Sequence, residues 1–165
     1  MAIPVHRSYR GLGSGGFHRM HYCDWGERNN PRVVVCVHGS RGNARDFDAV
    51  ARHLSAEFRV ICPDLAGRGE SDWLGTSMRL DFPQLLSDLN VLLSCLDVEE
   101  VDWIGTSLGG MLGRRLAAQP GTPIRRLMLL GDDAPVTQEE IEGVRRFLSE
   151  EASSPRREAW ECVAA

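Results

Sequence analysis

Between residues 32 and 131 the apolar positions keep switching period. Short unbroken apolar runs alternate with stretches where apolar residues return every third or fourth position. Val33 to Val37 (VVVCV) is a β-branched run ended by His38 and Gly39. It reads as a strand buried on both faces, as in a parallel sheet. In the next stretch Phe47, Val50, Ala51 and Leu54 share a helical face, with Asn43 as the N-cap and Asp46 in the first turn. Phe58 to Cys62 is a second strand, stopped by Pro63. After a glycine-rich loop to about residue 80, Leu85, Leu86, Leu89, Leu92, Leu93 and Leu96 give the clearest helix, with Pro83 near its start. Val101 to Ile104 is a third strand. Leu108, Met111, Leu112 and Leu116 mark a helix closed by Pro120, and Arg126 to Gly131 holds a fourth strand.

Strand and helix alternating over short links predict a doubly wound, mostly parallel α/β sheet. Ahead of it, residues 3–10 and 17–25 read as antiparallel strands joined by the turn-rich GLGSGG. Gly11-x-Gly13-x-x-Gly16 has dinucleotide-fingerprint spacing, but that motif must follow a strand and open a helix. Phe17 to Tyr22 reads as a strand, so the glycines belong to a hairpin. Behind the sheet, the capping box Thr137-Gln138-Glu139-Glu140 opens a helix to about 150. Ser154-Pro155 predicts a short final helix over 155–163.

The chain has 165 residues, 42% of them hydrophobic and 25% charged, which fits one globular domain. A net charge of -4 without a long basic run argues against nucleic acid. The arginine pairs at 114–115, 125–126, 145–146 and 156–157 read as solvated helix ends and faces. No apolar h-region marks the N-terminus and no run is long enough to span a bilayer, so neither a signal peptide nor a membrane is expected. The five cysteines (23, 36, 62, 95 and 162) are odd in number and form no CxxC. They read as free thiols in a reducing cytoplasm. No His/Cys spacing signals a metal site.

The chemistry concentrates around Gly105-Thr106-Ser107-Leu108-Gly109. A GxSxG motif after a strand and before a helix places a serine on a sharp turn above the strand ends, where the flanking glycines let the backbones crowd. The N-terminus of the following helix favours negative charge developing on a substrate oxygen. His38-Gly39-Ser40 follows the first buried strand, and the backbone N–H groups of Ser40 and Leu108 are candidates for an oxyanion hole. His38 itself reads as a residue that holds the loop. Asp64, opening the loop D-L-A-G-R-G-E-S-D, reads as structural support beside the site.

These three motifs, in this order, resemble the α/β-hydrolase superfamily, and more narrowly single-domain bacterial hydrolases of the esterase, lipase and epoxide-hydrolase type. The resemblance covers about residues 18–135. It implies cofactor-free hydrolysis of a small ester-like substrate by a Ser–acid–His triad, and a cap inserted after the strand at 126–131. Residues 1–135 would then form an incomplete hydrolase core, truncated after the sixth strand, and 136–165 the start of a cap-like helical segment. Asp132 matches the position where some members place the acid; a loop-capping aspartate is the alternative. All five histidines (6, 18, 21, 38 and 53) precede Ser107, whereas the family places its histidine late. The chain is therefore expected to be weak or inactive alone. The other readings are a non-catalytic pseudo-hydrolase, a binding module, or half of a split enzyme. An apolar strand left at the sheet edge by truncation is expected to promote self-association.

Overall fold

A computed structural model describes residues 2–75, 81–131, 136–150 and 160–162. Among the described residues the sheet has seven strands: β1 (Val5–Gly13), β2 (Gly16–Trp25), β3 (Val33–Val37), β4 (Arg59–Pro63), β5 (Val101–Thr106), β6 (Ile124–Leu130) and β7 (Trp160–Cys162), in the order β1-β2-β4-β3-β5-β6-β7. β2 pairs antiparallel with both β1 and β4, while the pairs from β4 through β7 are parallel. This is the doubly wound, mostly parallel α/β architecture that the alternating pattern predicts.

Four helices among the described residues cover the sheet: α1 (Asp48–Leu54), α2 (Phe82–Cys95), α3 (Leu108–Ala117) and α4 (Gln138–Ser149). Side-chain alternation along the strands sorts them into two layers. Val33, Val35 and Val37 face one side with Trp103 and Leu127, and pack against Leu89 and Leu92 of α2 and Leu112 of α3. Val34, Cys36, Ile104 and Met128 face the other. They pack against Val50 and Leu54 of α1 and Ile141, Val144, Phe147 and Leu148 of α4. β3 is buried on both faces at all five positions, and its apolar run VVVCV suits a strand covered from both sides.

The helix starts follow the side-chain caps in the sequence. Asn43 and Asp46 form a reciprocal capping box on a short 3-10 turn, Ala44–Phe47, which leads into α1. The Asp81 carboxylate accepts from the Gln84 amide at the start of α2, with Pro83 in its first turn. Thr137 and Glu140 form the capping box of α4. The hairpin is longer than its pattern suggests. Both strands run on to Gly13 and Gly16, and a two-residue turn at Ser14-Gly15 is completed by Gly16 at φ 103°.

Three expectations need correction. Trp160–Cys162 belongs to a strand, not to a helix over 155–163; the rest of that segment lies outside the described residues. β7 pairs with Leu127–Leu129, so β6 is not the bare edge expected. A one-sided apolar strand offers a row of backbone donors and acceptors, and that demand outweighs a local helix-start signal. Third, Arg125 and Arg126 are not a solvated helix pair. Both sit in β6, and Arg126 is buried. Arg126 lies opposite Asp102 in the β5–β6 register, and its Nε and Nη2 donate to the two carboxylate oxygens at 3.0 and 2.8 Å. Its Nη1 donates to the carbonyls of Phe147 and Glu150 at the end of α4, satisfying groups the helix leaves open. Among the described residues no helix is long and apolar enough to cross a membrane.

Candidate active site

β5 delivers the chain to Ser107, and α3 begins immediately after it. Ser107 has φ 44° and ψ -113°, a conformation that a residue with a side chain adopts only under constraint. Neighbouring glycines provide that constraint. A Cβ on Gly105 would run into the backbone of Gly109 and Gly110. One on Gly109 would strike the backbone of Val37 and His38. The turn therefore closes only with hydrogen at both positions, and α3 lies in backbone contact with the end of β3. Trp103 pins the arrangement from below, its indole Nε1 donating to the Gly109 carbonyl at 3.1 Å.

The Ser107 side chain is exposed and does not cap α3. Its backbone carbonyl accepts from the Met111 amide at 3.1 Å, so the residue is anchored through its main chain while its hydroxyl points away from helix duties. Leu108 is the first residue of α3, and its amide is among the first-turn N–H groups that no helical carbonyl satisfies.

The loop after β3 is held by His38. Its Nδ1 donates to the Gly39 carbonyl at 2.6 Å and its Nε2 accepts from the Leu65 amide at 3.0 Å. Both ring nitrogens are thus committed in the neutral form. Burial holds the pKa below the usual histidine value, against the opposing pull of the Gly39 carbonyl. Ser40 follows, its carbonyl accepting from Arg68 Nε at 2.6 Å. Arg68 is a contributor that the sequence reading missed. A lone arginine in a glycine-rich loop has no periodicity, and its partner is a main-chain atom 28 residues away.

Asp64 organises the second loop. Oδ1 accepts from the Ala44 amide at 2.7 Å, and Oδ2 from the Glu70 amide at 2.9 Å and His21 Nδ1 at 2.7 Å. Burial would raise its pKa, but these hydrogen bonds outweigh it and hold the carboxyl below the usual range. Gly69, at φ 50°, passes so close to that carboxylate that a Cβ would collide with it.

The other histidines lie elsewhere. His18 pairs with Asp88 on α2 at 2.8 Å, His21 with Asp64, and His6 with His21 at 2.9 Å; His53, in the last turn of α1, approaches Arg145. None hydrogen-bonds to Ser107. Asp132 lies outside the described residues.

One grouping was invisible as spacing. The β1–β2 register sets His6 opposite Cys23, and His21 lies two residues away on the same face of β2. The three donor atoms lie within 4.8 Å of one another.

The model of the alpha/beta hydrolase fold family matches residues 32–157. The chain is 44% identical over 137 residues to a 3-hydroxybutyrate-oligomer hydrolase from Cupriavidus necator, an alignment covering 83% of this chain and 47% of that protein. A crystal structure of an alpha/beta hydrolase from Novosphingobium aromaticivorans superposes with a TM-score of 0.70 at 36% identity, covering 89% of this chain and 50% of the other. Epoxide Hydrolase A from Mycobacterium thermoresistibile gives 0.67 at 25% identity, over 77% and 39%. The chain thus spans about half the length of these relatives.

Proposed function

Because the chain belongs to the α/β-hydrolase fold family, we propose that it carries the nucleophile of a carboxylic-ester hydrolase, with Ser107 as the attacking residue. The observation behind this reading is the Ser107 backbone at φ 44° with an exposed hydroxyl at the head of α3. The Ser107 oxygen bonds to the ester carbonyl carbon, and the backbone N–H groups of Ser40 and Leu108 hold the resulting oxyanion. Collapse breaks the bond to the alkoxy group, which leaves as the alcohol. Water then releases the acid from the acyl-serine. The substrate class is a short oligoester of hydroxy acids, a choice supported by the similarity to the 3-hydroxybutyrate-oligomer hydrolase. Exposed Met111, one helical turn beyond Ser107 on the same face, adds apolar surface for an acyl chain.

The reaction needs a base to take the serine proton. The commitments of the five histidines favour a base supplied from outside these 165 residues. That observation also favours a second reading, one half of a complementing pair. Self-association belongs to the proposal too, through the backbone edges left at β1 and β7, and light scattering reads it. The free thiols of Cys23, Cys36, Cys62 and Cys95 support a reducing, cytoplasmic setting.

The test is release of 3-hydroxybutyrate from its oligomers, and of p-nitrophenol from p-nitrophenyl acetate, with and without added imidazole. Ser107→Ala serves as the blank. The proposal expects little turnover alone and an imidazole-dependent increment that vanishes in Ser107→Ala. Identical rates in both proteins would remove Ser107 from the mechanism. Robust turnover without imidazole would show that a base lies within the chain.

A further inference from the structure

We propose that His6, His21, Cys23 and Glu70 form a zinc site on the N-terminal hairpin. The three His and Cys donor atoms lie within 4.8 Å of one another. His6 Nδ1 and His21 Nε2 are 2.9 Å apart. Two nitrogens on a tetrahedral zinc, each about 2.05 Å from the metal, stand about 3.3 Å apart, so the rings need to part by only a few tenths of an ångström. The Glu70 carboxylate supplies the fourth donor. Oε1 is 3.6 Å from His6 Nδ1 and Oε2 is 3.9 Å from His21 Nε2.

The group behind the ligands is what separates this cluster from a chance meeting of polar side chains. Asp64 already accepts two backbone N–H bonds, from Ala44 and Glu70. The contact between its Oδ2 and His21 Nδ1 at 2.7 Å therefore makes Nδ1 the protonated nitrogen. That fixes the tautomer with the Nε2 lone pair turned toward His6 and Glu70. A carboxylate that orients a histidine so its far nitrogen can bind metal is the arrangement that tunes histidine ligands generally. The same Glu70 whose amide holds Asp64 brings its carboxylate within 4 Å of both histidines, so ligand and orienting group are one connected unit.

The donor chemistry selects the metal. One thiol, two imidazoles and a carboxylate suit zinc's tetrahedral N/S/O preference and exclude the all-oxygen shells of calcium and magnesium. Access is open from one side. The His6 and Glu70 side chains are 49% and 60% exposed, whereas Cys23 and His21 are buried. Bound zinc would join β1, β2 and the 64–72 loop at one point, and that loop carries the Arg68 contact to Ser40.

The experiment strips the protein with a chelator and titrates it with Co(II), then competes with Zn(II). The expected result is one equivalent of Co(II) showing a thiolate-to-metal charge-transfer band, displaced by Zn(II). The band should vanish in Cys23→Ala and persist in Cys95→Ala, which removes a thiol exposed on α2. His6→Ala, at a half-exposed position, should keep the fold and weaken binding at least tenfold. Asp64→Asn, which retains the volume but not the charge behind His21, should weaken it about 10- to 100-fold. No band at one equivalent, a band that survives Cys23→Ala, or affinity unchanged in His6→Ala would each overturn the site.

Discussion

Gly109→Ala should destabilise the protein, although glycine to alanine inside a helix ordinarily does the reverse. Alanine gains up to about 1 kcal/mol over glycine in a helix interior. At Gly109 the added methyl meets backbone rather than a flexible side chain. It would lie 2.6 Å from the Val37 carbonyl carbon and 2.8 Å from the His38 carbonyl oxygen, both inside van der Waals contact. α3 must lift off β3, and overpacking of that kind costs about 1–3 kcal/mol. With several rigid contacts the upper half of that range applies, leaving a net loss of about 1–2 kcal/mol after the propensity gain. Gly143, in the middle of α4, is the matched control. A Cβ there meets only Met128 Cε, at 3.6 Å, an ordinary contact. Gly143→Ala should therefore stabilise by about 0.5–1 kcal/mol. Urea unfolding followed by circular dichroism resolves the two, because with a slope of about 2 kcal/mol/M the midpoints move about 0.5–1 M down and about 0.3–0.5 M up. If Gly109→Ala shifts the midpoint upward like Gly143→Ala, the close approach of α3 to β3 is wrong, and with it the basis for the constrained serine.

Other perturbations test the same structure from different sides. Ser107→Gly relieves a positive φ held by a residue with a Cβ and should raise stability by about 1 kcal/mol while abolishing the imidazole-dependent release of p-nitrophenol; a lower midpoint would argue against strain there. Asp102→Ala leaves buried Arg126 without its counter-charge and should cost about 3–5 kcal/mol, with Asp102→Asn costing less; a loss under 1 kcal/mol would contradict the pairing. Asp64 and Asp102 both have lowered pKa values: burial opposes the shift in each, and hydrogen bonds from His21 or from Arg126 and Arg125 overcome it. Their stabilisation is fully present above the unfolded aspartate value, about 3.9, and is lost as pH falls through the lower folded values. Asp88 works in the opposite sense, because burial raises its pKa despite His18 and protonation relieves it. Urea midpoints measured from neutrality to pH 3 should drop on the acid side, and Asp102→Asn should flatten that drop; an unchanged acid limb in the variant would refute the assignment.

What the sequence made legible was whatever depends on period. VVVCV, the α2 leucines with Pro83 at their start, and the caps at Asn43 and Thr137 are local statements, and the structure follows each of them. The serine turn was also local, since a strand, two glycines and a helix suffice to place it. What escaped were pairings across the chain. Arg126 is intelligible only against Asp102, a charge inside the otherwise apolar strand VDWIGT; an aspartate in such a run was the available clue to a buried partner. His6, His21 and Cys23 carry no metal-ligand spacing, and only the hairpin register converts their positions into neighbours. The three-residue strand β7 is too short to show alternation, and its position is set by the open side of β6.

The central place of β3 has a consequence in time. Its two neighbours, β4 and β5, both follow it in the chain. Val33 meets Val101, and at the ribosome's pace of about 5–20 residues per second the roughly 70 residues between them take about 4–14 s to emerge. Through that interval VVVCV has at most one partner, and one side of a strongly β-forming segment stays open on the nascent chain. The polar residues at its ends, Arg32 and His38, then act as guards against mispairing before they act as anything else. Nascent chains halted before β5 emerges should therefore be the most aggregation-prone, and chains that have passed Thr106 markedly less so.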